Sequence, residues 1–181
     1  MIDVEDEFSQ ACCNINPERL AALRAAGVPD AVYADHLVGM APIEPHRGGL
    51  FDIADVGVPA VLLPVGEWGG LNWKLKDLVA FYLNRPGRWW RRLGAVQVLG
   101  TENIAPEPVF PLRLYDTPLS WLQAGAAGVC VIDWRVDPER FLYAGPIEAE
   151  SHSLKARLER RIQSAARAKF DISVSEVRDA T

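Results

Sequence analysis

The chain has 181 residues, of which 49% are hydrophobic and 24% are charged, and its formal net charge is −5. This composition is that of a folded globular protein and excludes a disordered chain, and the length suits a single domain spanning residues 1–181. The acidic balance argues against a protein that coats nucleic acid over its whole surface, although most of the 19 basic residues follow position 80.

Composition also bears on where the chain works. The longest uncharged apolar run, residues 57–66, is too short to cross a bilayer, and the acidic N-terminus differs from the basic start of a secretory signal. Three cysteines, of which Cys12 and Cys13 are adjacent, cannot all pair, so we expect reduced thiols. We therefore predict a cytoplasmic protein without a membrane partner.

The first predicted elements are helices. Asn16 followed by Pro17 is typical of an N-cap and a first-turn proline, and the apolar stripe that follows ends at Gly27. A second stripe with helical spacing over residues 32–37 includes His36, which predicts a helical hairpin. Prolines and glycines over residues 42–49 then interrupt the helical pattern.

Residues 50–54 and 58–65 have the continuous apolar and β-branched character of strands. The next segment, up to residue 83, fits either a helix or a strand. A Gly-Gly turn at Gly69 and Gly70 favours a long hairpin over residues 62–83, in agreement with the strand-forming side chains at its end.

The second half of the chain begins with a predicted turn that starts at Pro86 and ends at Gly94, and residues 95–99 read as a short strand. A polar, proline-containing loop is expected at residues 101–111.

Residues 112–115 then predict a strand, and Thr117-Pro118 supplies the cap and first-turn proline of a helix that Gly125 ends. Residues 129–132 form the next predicted strand. The three elements together predict a β-α-β unit.

The last predicted element is an amphipathic helix over residues 148–169. Its apolar side chains fall on one face, with arginines roughly opposite. The elements as a whole predict an α+β fold, in which a small mixed sheet is combined with a helical N-terminal segment and a C-terminal amphipathic helix. The sheet strands are expected near residues 50–54, 58–65, 74–83, 95–99, 112–115 and 129–133.

The segment from Arg85 to Arg92 is the most distinctive part of the chain, because four arginines and two tryptophans occupy eight positions. Arginine presents a planar, permanently charged group that binds anions, and tryptophan offers a face for stacking. We expect a non-enzymatic accessory protein that contacts an acidic protein surface or single-stranded nucleic acid. The predicted binding residues are Arg88, Trp89, Trp90, Arg91, Arg92, Arg157, Arg160 and Arg167.

An enzymatic alternative rests on Glu67, which follows one predicted strand, and Asp133, which ends another. Carboxylates placed in this way resemble the toprim domain of topoisomerases and primases. The resemblance implies magnesium-dependent phosphoryl transfer on nucleic acid. The chain departs from that family's Asp-x-Asp pair, since the acid after Asp133 is Asp137.

A third interpretation is a homo-oligomer in which tryptophan and arginine form a self-complementary interface. No cofactor or metal is expected, because the chain lacks a phosphate-binding glycine loop and a nucleophile elbow, and its histidines are widely separated in sequence.

Overall fold

The computed structural model describes residues 3–35, 37–69, 72–104, 110–142 and 144–169, and these form an α+β fold of five helices and two sheets. The predicted fold class is therefore confirmed, with helices at both ends. The helices are α1 (Val4–Cys13), α2 (Pro17–Ala25), α3 (Asp30–Ala34), α4 (Pro118–Gln123) and α5 (His152–Lys169). The strands are β1 (Gly39–Pro45), β2 (Phe51–Ile53), β3 (Pro59–Gly69), β4 (Asn72–Tyr82), β5 (Arg85–Arg91), β6 (Val98–Leu99), β7 (Leu112–Tyr115), β8 (Val129–Val131) and β9 (Ile147–Ala149).

The first sheet is antiparallel and strongly curled. Its strand order is β2-β1-β3-β4-β5, and β3 and β4 form the predicted long hairpin, whose turn residues Gly70 and Leu71 lie outside the described residues. The two outer strands approach each other at one end, where Arg91 N donates to Gly49 O at 2.9 Å. The sheet is thus a half-closed barrel, and side chains of α1 fill its concave side together with Phe51, Leu62 and Trp90.

The second sheet has the order β6-β8-β7-β9 and contains the predicted β-α-β unit, since β7 and β8 are parallel and α4 connects them. Helix α4 begins where the sequence predicts. Thr117 Oγ1 accepts from Ser120 N at 3.0 Å, and Ser120 Oγ accepts in return from Thr117 N at 3.2 Å, which is a capping box.

Alternation along the strands sorts the side chains into layers. Val61, Leu63, Val79 and Phe81 of the first sheet face Trp121, Leu122 and Cys130 of the β-α-β unit. The neighbours of Cys130, Val129 and Val131, point the other way and pack with Leu154 and Leu158 of α5. The second sheet therefore lies between the first sheet and α5.

Several predicted elements differ from the structure. The six predicted strands divide between two sheets, because the chain leaves the first sheet after β5 and builds the second around a parallel crossover. The prolines that appeared to break the pattern lie in β1, where Pro42 forms the last pair with β3 and Pro45 the last pair with β2. At such ladder ends a missing N–H costs little.

The C-terminal helix starts at residue 152 rather than 148, because residues 147–149 pair with β7 and Ser151 Oγ caps the helix by accepting from Leu154 N at 3.1 Å. His36, at the end of the second predicted helix, lies outside the described residues. None of the helices in the described ranges is long and apolar enough to cross a membrane.

Candidate functional site

The Arg/Trp segment forms strand β5 rather than the predicted turn. It pairs with β4 through Arg91, Trp90 and Trp89, while a bulge next to Tyr82 accommodates the Pro-Gly dipeptide. Adjacent residues of a strand point to opposite faces, so the two tryptophans enter different layers. Local turn signals at Pro86 and Gly87 concealed this pairing in the sequence.

Trp90 points into the half-closed barrel and is only 5% exposed. Its ring meets Tyr82 edge-on, with the centroids 5.6 Å apart, and the guanidinium carbon of Arg88 lies 5.2 Å from its centroid. Trp89 is half-buried on the opposite face, where its Nε1 donates to Ile132 O at 3.0 Å. Both indoles are therefore part of the packing, and Trp89 also connects the two sheets.

Arg91 is buried at the junction between the sheets. Its Nη1 lies 2.9 Å from Asp133 Oδ2, and the side chain also donates to the carbonyl oxygens of Gly94 and Val96. These contacts fix the start of the connection that leads from β5 to the second sheet.

Arg92, which directly follows β5, binds both α1 and β2. Its guanidinium makes two parallel hydrogen bonds to Glu7 of α1, both at 2.9 Å, and a third at 2.5 Å to Asp52 of β2. The side chain of Arg92 is only 9% exposed. Arg88 is therefore the exposed member of the five predicted binding residues in this segment.

Asp133, one of the two carboxylates of the enzymatic alternative, also lies at the junction. Arg135 binds both of its oxygens, and Arg91 approaches one of them from inside the protein. The hydrogen bonds from Arg135, with the charge of Arg91, lower the pKa of Asp133 to about 2. The carboxylate is thus compensated by two guanidinium groups within the protein.

Glu67 lies in β3, with its backbone opposite Lys74, and its side chain lies outside the described residues. Within the part of the chain that is described, no three histidine, cysteine, aspartate or glutamate side chains are grouped as a metal site would require.

Helix α5 presents a separate basic surface. Its side chains Leu154 and Leu158 are buried against the second sheet, which fixes the rotation of the helix. At about 100° per residue, four arginines fall within a sector of about 120°. We call this sector the arginine face; it consists of Arg157, Arg160, Arg161 and Arg167, all exposed.

The single acidic residue of α5 lies away from the arginine face. Glu159, the one acid in the helix sequence, lies on the far side and is 3.9 Å from Lys155. The three arginines of α5 that the sequence predicted as binding residues therefore share one continuous surface, and Arg161 extends it.

Trp134 lies beside the arginine face and was not among the predicted site residues. The guanidinium carbon of Arg157 is 4.2 Å from the centroid of its ring, and Trp134 packs against the core beneath α5. Arg161 Nη2 donates to Val136 O in the same loop at 3.4 Å. The sequence could not reveal this pairing, because it depends on how α5 docks on the second sheet.

No protein-family model matches this chain, and no curated protein is significantly similar to it. Functional conclusions therefore depend on the chain's own residues and their geometry.

Proposed function

We propose that this chain is a non-enzymatic binding protein that contacts an anionic partner through the arginine face of α5. The observation that carries the proposal is the placement of four exposed arginines in one sector of a helix whose adjoining sector, with Leu154 and Leu158, is anchored in the core. Guanidinium groups remain charged at any working pH, and their planar donors match carboxylate and phosphate groups.

The negative net charge of the protein is compatible with this role. Screening limits the reach of exposed charges to about 8–10 Å at physiological salt, so a partner at the arginine face responds mainly to the charges nearby. From Arg157 to Arg167 the helix extends about 15 Å, enough for several anionic groups of one partner.

The environment of Asp133 favours binding over metal-dependent phosphoryl transfer. A magnesium ligand must offer a carboxylate oxygen to the cation, whereas both oxygens of Asp133 already accept from Arg135, and one of them is also paired with Arg91 at 2.9 Å. For magnesium to bind Asp133, an arginine would have to move away, and its positive charge would then lose this carboxylate partner.

Retention on immobilised heparin, a sulfated polyanion, tests the proposal. Replacing Arg157, Arg160 and Arg167 by glutamine should lower the salt concentration at which the protein elutes. A control variant carries glutamine at Arg47, Lys76 and Arg113, which are exposed on other surfaces, so that both variants lose three positive charges.

The control variant should elute close to the unmodified protein, because the charges it lacks lie away from the arginine face. Equal elution of the two variants would show that retention depends on total charge alone, and absence of retention at low salt would also reject the proposal. Eluting the heparin-bound protein with soluble poly-glutamate, and separately with soluble heparin, then measures its preference for carboxylate over sulfate.

A further inference from the structure

We propose that the Arg157–Trp134 pair is a stacking site for a base of single-stranded nucleic acid. The inference rests on the proposed function, since the same arginine face would bind the backbone of that strand. It specifies the partner more closely, because stacking requires a planar ring that an acidic protein surface does not generally supply.

The geometry of the pair supports stacking. The guanidinium carbon of Arg157 lies 4.2 Å from the centroid of the Trp134 ring, within the range of a cation–π contact. Arg157 is exposed, so the side of the guanidinium that faces away from the indole is accessible to a ligand. A base placed there would continue the stack, as bases do on arginine planes in RNA-binding proteins.

The site is held in place before a ligand arrives. Trp134 packs against the core under α5, and Val136 N donates to Asp133 O at 3.1 Å, which closes a turn around the tryptophan. Arg135 binds the Asp133 carboxylate, and Arg161 donates to Val136 O. A fixed platform loses little conformational entropy when a base binds, which favours affinity.

The neighbouring charges indicate a strand rather than a free nucleotide. Arg160 and Arg167 lie on the same helix face at increasing distance from Trp134, so phosphates on one side of the stacked base can reach them. Bases of a duplex are stacked on each other and expose only their edges, whereas an unpaired base exposes its face. The combination of one stacking site with a row of arginines therefore fits a single strand.

The test compares two fluorescent probes of equal length and phosphate number, an oligothymidylate and the corresponding abasic strand, by anisotropy. The unmodified protein should bind the oligothymidylate more tightly by about fivefold or more, the lower end of what one stacked base contributes. Arg157→Lys keeps the charge but removes the plane, so it should bring the ratio of the two affinities to about one, whatever loss of affinity the two probes share.

Arg160→Lys is the matched control, because it makes the same substitution on the arginine face away from the indole, and it should retain the preference. Equal affinity of the unmodified protein for both probes would overturn the stacking site while leaving the anionic surface intact. A preference for bases that survives Arg157→Lys would also overturn it. Failure of both probes to bind, with heparin retention preserved, would reject nucleic acid as the partner and favour an acidic protein.

Discussion

Replacing Asp77 by asparagine should strongly destabilise the protein. Asp77 lies in β4 and is completely buried, and its carboxylate accepts four backbone hydrogen bonds. One oxygen accepts from Leu78 N at 2.8 Å and Leu93 N at 2.7 Å, and the other accepts from Ala95 N at 2.8 Å and Val96 N at 3.3 Å. The side chain thereby fixes the segment that carries the chain from the first sheet to the second.

An asparagine side chain keeps one acceptor oxygen and replaces the other with a donor. Two N–H groups, one buried and one partly buried, then face an NH₂ group and lose their acceptor, at a cost of about 1–3 kcal/mol each. The expected loss is therefore about 2–6 kcal/mol, a large part of the roughly 5–15 kcal/mol that stabilises a typical domain.

Urea unfolding followed by tryptophan fluorescence and by circular dichroism would measure this change. Asp55→Asn, at an exposed position, is the matched control and should alter the free energy of unfolding by less than about 0.5 kcal/mol. If Asp77→Asn lies within about 1 kcal/mol of that control with the same dependence on urea, the carboxylate does not hold the connection as described.

Three further predictions concern other buried or partly buried groups. Because Arg135 and Arg91 lower the pKa of Asp133 to about 2, from an ordinary value of 3.8, its stabilising contribution is present above about pH 4 and is lost as the pH falls toward 2. Asp133→Asn should therefore flatten the acid limb of a stability profile measured by denaturant titration; an unchanged limb would contradict the assignment. Burial raises the pKa of the Cys130 thiol, so a thiol reagent should label exposed Cys13 in the native protein and Cys130 only after unfolding, as mass spectrometry of labelled peptides would show. Arg92→Gln should cost about 1–3 kcal/mol in thermal or urea unfolding because it leaves the largely buried carboxylate of Glu7 without its bidentate partner, whereas exposed Asp52 keeps His46; a loss under 0.5 kcal/mol would mark the contact with Glu7 as energetically neutral.

Short sequence motifs predicted the helices whose first turns are fixed by a capping residue close by in the chain. The cap at Asn16, whose Oδ1 accepts from Arg19 N at 2.9 Å, and the capping box at Thr117 are both present in the structure. Helix α1 was missed, although Asp3 caps it by accepting from Glu5 N and Asp6 N, and the acids of its first turn match the helix dipole. That signal was available in the sequence.

Other features depend on contacts between distant parts of the chain. The segment of β5 is extended because it hydrogen-bonds to the edge of β4. Strand β1 can contain prolines because its two halves pair with different strands, β3 and β2, and each proline lies at the end of a ladder. The arginines of α5 could be predicted from helical periodicity, but Trp134 joined them only through the docking of the helix. No local sequence pattern indicates that the strands divide between two sheets, or that Trp134 lies beside the arginines of α5.

The most conspicuous residues of the sequence connect the two halves of the molecule. Trp89 donates a hydrogen bond to Ile132 and Arg91 pairs with Asp133, and these two residues directly precede Trp134 as the pair Ile132-Asp133. Substitutions at Trp89 or Arg91 of β5 would therefore displace the loop that carries the proposed stacking site, although neither residue contacts the ligand. In a mutational scan scored by binding, Trp89 and Arg91 would resemble contact residues, and measuring the stability of each variant would separate this indirect effect from true recognition.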